Sequence, residues 1–159
     1  MDESTRVKAD LIPYSDEYAR DVRSWMESEE TYQAVCRGKE FPPPDDIVQS
    51  WQRQGVTSYI LLSDRKPVAY GELWARPLEL AVEICHLLVS PYQRDKGYGV
   101  KTLQLLYDRA AARKDVAKVL INLWDDNEAA LGCYLKAGFD LLGTSKFTTG
   151  LRLVRMIQP

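Results

Sequence analysis

Histidine is nearly absent from this chain: His86 is the single one among 159 residues. A triad that uses histidine must use this one, and a zinc site would have to lean on scattered cysteines and carboxylates. No metal is therefore expected. Cysteine is scarce too. Cys36, Cys85 and Cys133 are far apart, form no C-x-x-C pair and are odd in number, which argues against a disulfide framework and for a reducing compartment. No stretch approaches the roughly 18 apolar residues of a membrane span. The opening Met1-Asp2-Glu3-Ser4 lacks a basic segment followed by an apolar one. The expectation is a cytoplasmic protein with no membrane partner. Neither charge is in excess: 21 Lys and Arg against 23 Asp and Glu leave −2, which removes the basic footprint of a nucleic-acid binder. Linkers, repeats and low-complexity segments are missing as well, so residues 1–159 read as one domain.

What is present is an ordinary globular composition, 45% apolar and 10% aromatic, with a legible order of elements. Residues 7–12 read as an opening strand. Ser15 or Asp16 can cap a helix carrying Tyr18, Val22, Trp25 and Met26 on one side. Phe41-Pro42-Pro43-Pro44 breaks any helix, and Asp45 or Asp46 can cap a second one through Ile47, Val48 and Trp51, with Gly55 placed to end it. Residues 58–63, 68–74 and 80–89 read as three antiparallel strands, the first two joined through Asp64-Arg65-Lys66-Pro67. Apolar positions Val100, Leu103, Leu106, Tyr107 and Ala110 predict a helix over 98–113. A strand over 116–123 follows. Asp125, Asp126 or Asn127 can cap a helix ending before Gly138, and residues 141–147 and 151–157 around Thr148-Thr149-Gly150 read as a closing hairpin.

The chemistry concentrates in Leu87-Leu88-Val89-Ser90-Pro91-Tyr92-Gln93-Arg94-Asp95-Lys96-Gly97-Tyr98-Gly99-Val100, where a strand enters a basic, glycine-containing loop that opens a helix. The first N–H groups of a helix have no internal partner and its dipole is positive at that end, so a diphosphate can accept several hydrogen bonds there. Gly97 and Gly99 let the chain come close, and Arg94, Lys96 and Lys101 add positive charge. On pattern alone, Gly-x-Gly before a helix is equally often a tight turn. The dinucleotide fingerprint fits less well, because no third glycine follows at the right offset.

Arg94-x-x-Gly97-x-Gly99 resembles the acyl-CoA loop of the GNAT superfamily of N-acetyltransferases. Asn127, Ala130, Tyr134, Lys136, Gly138 and Phe139 resemble that family's later motif. The resemblance implies an α/β (α+β) fold, a twisted mixed sheet of about seven strands flanked by four helices, whose fourth and fifth strands splay to admit acetyl-CoA as co-substrate. Pantetheine amides would pair with the backbone of Leu87, Leu88 and Val89 as an added strand does. The diphosphate would meet the N–H groups of Arg94, Asp95, Lys96, Gly97, Tyr98, Gly99 and Val100. An N–H near Leu88 or Val89 would stabilise the oxyanion of the thioester carbonyl. The implied activity is direct transfer of acetyl to a primary amine in a ternary complex; the alternative is a noncatalytic acyl-CoA-binding regulatory module of the same fold.

A lysine-like amine of pKa about 10.4 is neutral in about one molecule in a thousand at pH 7, so a base is needed. Glu83 is the first candidate, at the distance before Gly97 where the protein-lysine branch of the family carries its glutamate. A second branch carries its base where this chain has Asn122. Glu72 on the preceding strand is the reserve, acting through water. Tyr134 matches the family's tyrosine acid, which protonates the departing sulfur; a core aromatic is the competing reading. Asn127 is expected to contact the cofactor, cap its helix, or both. Cys85 and Cys133 read as small packing residues and His86 as a satisfied core or edge residue. One of Trp25, Trp51, Trp74 and Trp124 is a candidate for lining an acceptor pocket. The acidic groups Glu27-Ser28-Glu29-Glu30, Asp45-Asp46 and Asp125-Asp126 suit a cationic small-molecule or peptide acceptor, although helix caps and solvated faces explain them equally well. Monomer and homodimer are both open, the closing hairpin offering an edge to a second copy.

Overall fold

The computed structural model describes residues 8–37, 39–123, 127–144 and 150–157. Seven strands form one mixed sheet in the order β1-β2-β3-β4-β5-β7-β6. They are β1 (Asp10–Pro13), β2 (Val56–Ser63), β3 (Lys66–Arg76), β4 (Ala81–Val89), β5 (Lys118–Leu123), β6 (Asp140–Thr144) and β7 (Leu151–Met156). Every neighbouring pair is antiparallel except β4 with β5. Among the described residues the α-helices are α1 (Ala19–Trp25), α2 (Glu29–Val35), α3 (Ile47–Ser50), α4 (Tyr98–Ala111) and α5 (Glu128–Lys136).

The mixed sheet follows from local chemistry. Asp64 and Arg65 both take positive φ, 52° and 63°, as a two-residue hairpin loop between right-twisted strands demands. The parallel pair needs a crossover, and α4 supplies it: Val100, Leu103, Leu106 and Ala110 are buried against Leu73, Val82, Ile84 and Ile121 on one face of the sheet. On the other face Val22, Trp25 and Tyr32 from α1 and α2 pack with Trp51 over Ile60, Tyr70 and Leu88. The two faces thus have separate cores.

Two helical details depart from the sequence reading. Ser15 and Asp16 open a short 3₁₀ turn, Asp16–Tyr18, ahead of α1, and the Ser15 hydroxyl donates to Glu17 (3.0 Å) instead of capping. The acidic run Glu27 to Glu30 conceals a helix of its own, because the Ser28 hydroxyl accepts from the Thr31 N–H at 3.1 Å and starts α2. That helix makes five among the described residues where four were expected. α3 is a single turn and stops before Gly55, whose φ of +86° belongs to the entry into β2. β1 begins at Asp10, and the expected start at Val7 lies outside the described residues, as do Met1 to Arg6, Trp124, Asp125, Asp126, Thr148 and Thr149.

Candidate active site

The site begins where a ladder stops. β4 and β5 pair from Ala81 with Lys118 to Ile84 with Ile121 and no further, although β4 continues for five residues. The backbone beyond Ile84 on that edge therefore has no strand beside it. A bulge sits at the same point. Tyr70 faces Leu88 and Glu72 faces Cys85, so two steps on β3 are matched by three on β4, and the extra residue, His86, carries φ +49°. Beyond the bulge the Ser90 N–H donates to the Val68 carbonyl on β3 at 2.8 Å. Since backbone groups alternate along a strand, Leu88 also turns its N–H to β3, while Val89 and Leu87 turn theirs into the gap. Leu88 instead buries its side chain beneath α1 and α2.

The glycine loop faces the same gap. Gly97 is the N-cap of α4 in the left-handed region (φ 84°, ψ 4°), with no side chain capping the helix. The first helical bond runs from Lys101 N–H to the Gly97 carbonyl at 3.0 Å, which leaves the N–H groups of Tyr98, Gly99 and Val100 without internal acceptors. A Cβ on Gly99 would stand 3.3 Å from Cys133 Sγ and 3.8 Å from Val89. The glycine thus lets the helix start close against α5 and β4. A cleft of about 1370 Å³ joins Val89, Arg94, Asp95, Gly97, Tyr98, Gly99 and Val100 to Asn127, Ala130, Cys133 and Lys136 of α5, and to Glu27, Glu30 and Arg37 near α2. Lys96 stands apart from that lining and donates to Gln93 at 3.0 Å. Asn127 caps α5 by accepting from the Ala130 N–H at 3.2 Å and lines the cleft as well. A narrow anionic chain with a diphosphate fits this cleft: three free amides, Arg94 and a Cβ-free approach converge at one end of it.

Tyr134 projects from α5, half-buried among Leu131, Cys133 and the core beneath α4. Its hydroxyl makes no hydrogen bond with a described residue. Burial raises its pKa well above the ordinary value, with the Cys133 and Cys85 thiols adding to the rise, so the phenol stays protonated throughout the neutral range. Cys85 lies on β4 at the bulge, and the phenol therefore approaches the point at which the strands part.

The two candidate carboxylates share a face but not an environment. Glu83, 13% exposed, is gripped by Arg76 (Nη2 3.0 Å, Nε 3.1 Å), by Asn122 Nδ2 at 3.1 Å and by the Cys85 thiol at 3.4 Å. Its oxygens are both taken. Asn122 Oδ1 is buried and has no partner among the described residues. Glu72 is completely buried, and three donors converge on it: the Tyr70 hydroxyl, Trp74 Nε1 at 2.6 Å and His86 Nδ1 at 2.8 Å. Nothing in the residue pattern signals that His86 closes over Glu72; the positive φ that brings it there is a property of the bulge, and strand alternation does not announce a bulge. Of the four tryptophans, Trp51 and Trp74 flank His86, Trp25 is core, and Trp124 lies outside the described residues.

Residues 19–139 match the Acetyltransferase (GNAT) family. The chain belongs to that family. A relative, aminoglycoside N(6')-acetyltransferase type 1 of Klebsiella pneumoniae, is 27% identical over 134 residues, covering 77% of this chain and 65% of its own length. The same enzyme type from Serratia marcescens matches equally. This GNAT chain thus spans about two-thirds of those relatives. Among solved structures, aminoglycoside acetyltransferase AAC(6')-Ib in complex with coenzyme A and kanamycin superposes with a TM-score of 0.78 at 20% identity, over 94% of this chain and 95% of that one. Spermidine N-acetyltransferase from Vibrio cholerae with CoA and spermine gives 0.77 at 12%, over 94% and 95%. These likenesses establish the GNAT fold for the sheet and helices described above. Among the described residues no three His, Cys, Asp or Glu side chains cluster as metal ligands, and no helix is long and apolar enough to cross a membrane.

Proposed function

We propose that this GNAT domain transfers acetyl from acetyl-CoA to a primary amine of a small cationic acceptor, by direct attack in a ternary complex. The observation that carries the reading is the end of the β4–β5 ladder at Ile84 and Ile121, with a cleft there that Val89 and the first residues of α4 line, and with Tyr134, whose hydroxyl has no hydrogen-bond partner among the described residues, on α5, which also lines it. Acetyl-CoA supplies a thioester carbonyl and a thiol leaving group. The chain supplies the rest. The N–H groups of Tyr98, Gly99 and Val100, with Arg94, Asp95, Lys96 and Gly97 shaping the loop, bind the diphosphate. Val89 pairs with pantetheine, and Leu87, two residues after Cys85 on β4, turns its N–H to the carbonyl oxygen. Tyr134, kept protonated by burial, donates to the sulfur as it leaves.

The proton of the attacking nitrogen leaves on the face where Glu72 and Glu83 stand. Glu27 and Glu30 on the cleft wall favour a polycationic acceptor, in keeping with relatives named for aminoglycosides and a fold neighbour solved with spermine. The test is a mass-spectrometric panel of aminoglycosides, polyamines and basic peptides with acetyl-CoA. A gain of one acetyl on an acceptor amine supports the reading. Tight CoA binding with no acetylated product from any acceptor class supports the regulatory module instead.

A further inference from the structure

We infer that His86, held by Glu72, is the group that takes the proton from the attacking amine. The inference rests on the acetyl-transfer reading and assigns a residue that the sequence marked as mere packing. Its first support is placement. The bulge sets Cys85 and His86 on the face that carries Glu72 and Glu83, as the Cys85 to Glu83 and His86 to Glu72 contacts show. His86 immediately precedes Leu87, whose N–H faces the gap.

The second support is polarity. With Nδ1 2.8 Å from a carboxylate that can only accept, Nδ1 carries the hydrogen and the lone pair is left on Nε2. Nε2 has no hydrogen-bond partner among the described residues. The His86 side chain is 16% exposed where Glu72 is fully enclosed. Glu72 thus reaches substrate only through the imidazole, as a positioning residue. Glu83, by contrast, would have to surrender a bond to Arg76 or Asn122 before accepting a proton.

The third support is rigidity. Trp51 stacks on the imidazole at 4.1 Å and 21°, and Trp74 meets it edge-on at 5.7 Å. These rings fix the imidazole plane, and the Trp51 face attracts the cation that forms. Nitrogen attack forms the N–C bond to the acetyl group while the amine N–H bond breaks and its proton passes to Nε2. The C–S bond then breaks, and the sulfur takes the Tyr134 proton. His86 afterwards loses its proton to solvent and Tyr134 regains one, so no other reactant is needed.

Because histidine occurs once, its ring nitrogens give unambiguous NMR signals. In the wild-type protein the Nδ1-protonated tautomer is expected, shifting toward a tautomer mixture in Glu72→Gln; an Nε2-protonated ring in the wild type overturns the inference without reference to activity. His86→Gln should lower kcat about 100- to 1000-fold with CoA affinity within twofold, and imidazole should restore part of the rate in His86→Ala. Glu72 is bonded to His86; around that pair Tyr70 donates to Glu72, Cys36 and Cys85 feel the Glu72 charge, Glu83 accepts from Cys85, and Arg53 and Arg76 lie over the Trp74 ring. The loss of kcat should be larger in His86→Gln than in Glu83→Gln. The reverse pattern, or near-normal turnover in His86→Gln, makes Glu83 the base and refutes the assignment. A wild-type protein that acetylates no amine sinks the functional reading instead, while the tautomer still decides whether His86 is built to accept.

Discussion

Replacing Tyr134 with phenylalanine removes one oxygen and little else. That hydroxyl has no protein partner among the described residues, so Tyr134→Phe leaves no donor or acceptor unsatisfied and should keep stability within about 0.5 kcal/mol. The ring still packs against Leu131, Cys133 and the core beneath α4. What disappears is proton donation to the sulfur. General acid catalysis contributes about 10²- to 10⁴-fold, and a hundredfold loss corresponds to about 2.7 kcal/mol of transition-state stabilisation. Since burial keeps the phenol protonated well above its ordinary value, the wild type should show no loss of rate from this group below pH 10. The assay is thiol release at saturating acetyl-CoA with the best acceptor from the amine panel, beside calorimetric CoA binding and a thermal melt. The expected result is a kcat lower by two orders of magnitude with Kd for CoA and Tm both unchanged. Undiminished kcat refutes the acid role, and a parallel loss of CoA affinity shows that the oxygen serves binding instead.

Gly71→Ala should destabilise the protein. A Cβ there would lie 2.8 Å from the fully buried Leu106 Cδ1, an overpacking worth about 1–3 kcal/mol and a Tm lower by about 2–4 °C per kcal/mol; an unchanged melt contradicts it. The Cys36 thiol, pushed up to about 11 chiefly by burial and next by the Glu72 charge, should alkylate more slowly at pH 8.5 than a free cysteine, read from the mass of its tryptic peptide. The sign for stability follows from proton binding: between pH 9 and 11 the unfolded thiol has lost its proton and the folded one keeps it. Urea denaturation should therefore show stability declining across that window, and less so in Cys36→Ala.

The sheet was legible because its signals are local. Alternating β-branched runs, the Asp64-Arg65 turn and the 3.6-residue period of α4 each declare themselves within a dozen residues. α2 was hidden because Glu29 and Glu30 read as surface charge, while the Ser28 cap that explains them is a single hydroxyl. The glycine loop was legible for the same local reason: a left-handed N-cap at Gly97 and a close approach at Gly99 both favour glycine. The carboxylate environments were not legible. The Arg76 and Asn122 grip on Glu83 joins three strands, and the closure of His86 over Glu72 depends on one extra residue in β4. Period-two reasoning assigns residues to faces only while the period holds.

In the proposed function the opened edge of β4 and the start of α4 together hold the acyl carrier. A titration of the ¹⁵N-labelled protein with CoA tests it amide by amide. Saturable shifts are expected at Leu87, Val89, Tyr98, Gly99 and Val100. Saturation with those five amides unmoved, or no shift at millimolar CoA, would contradict it.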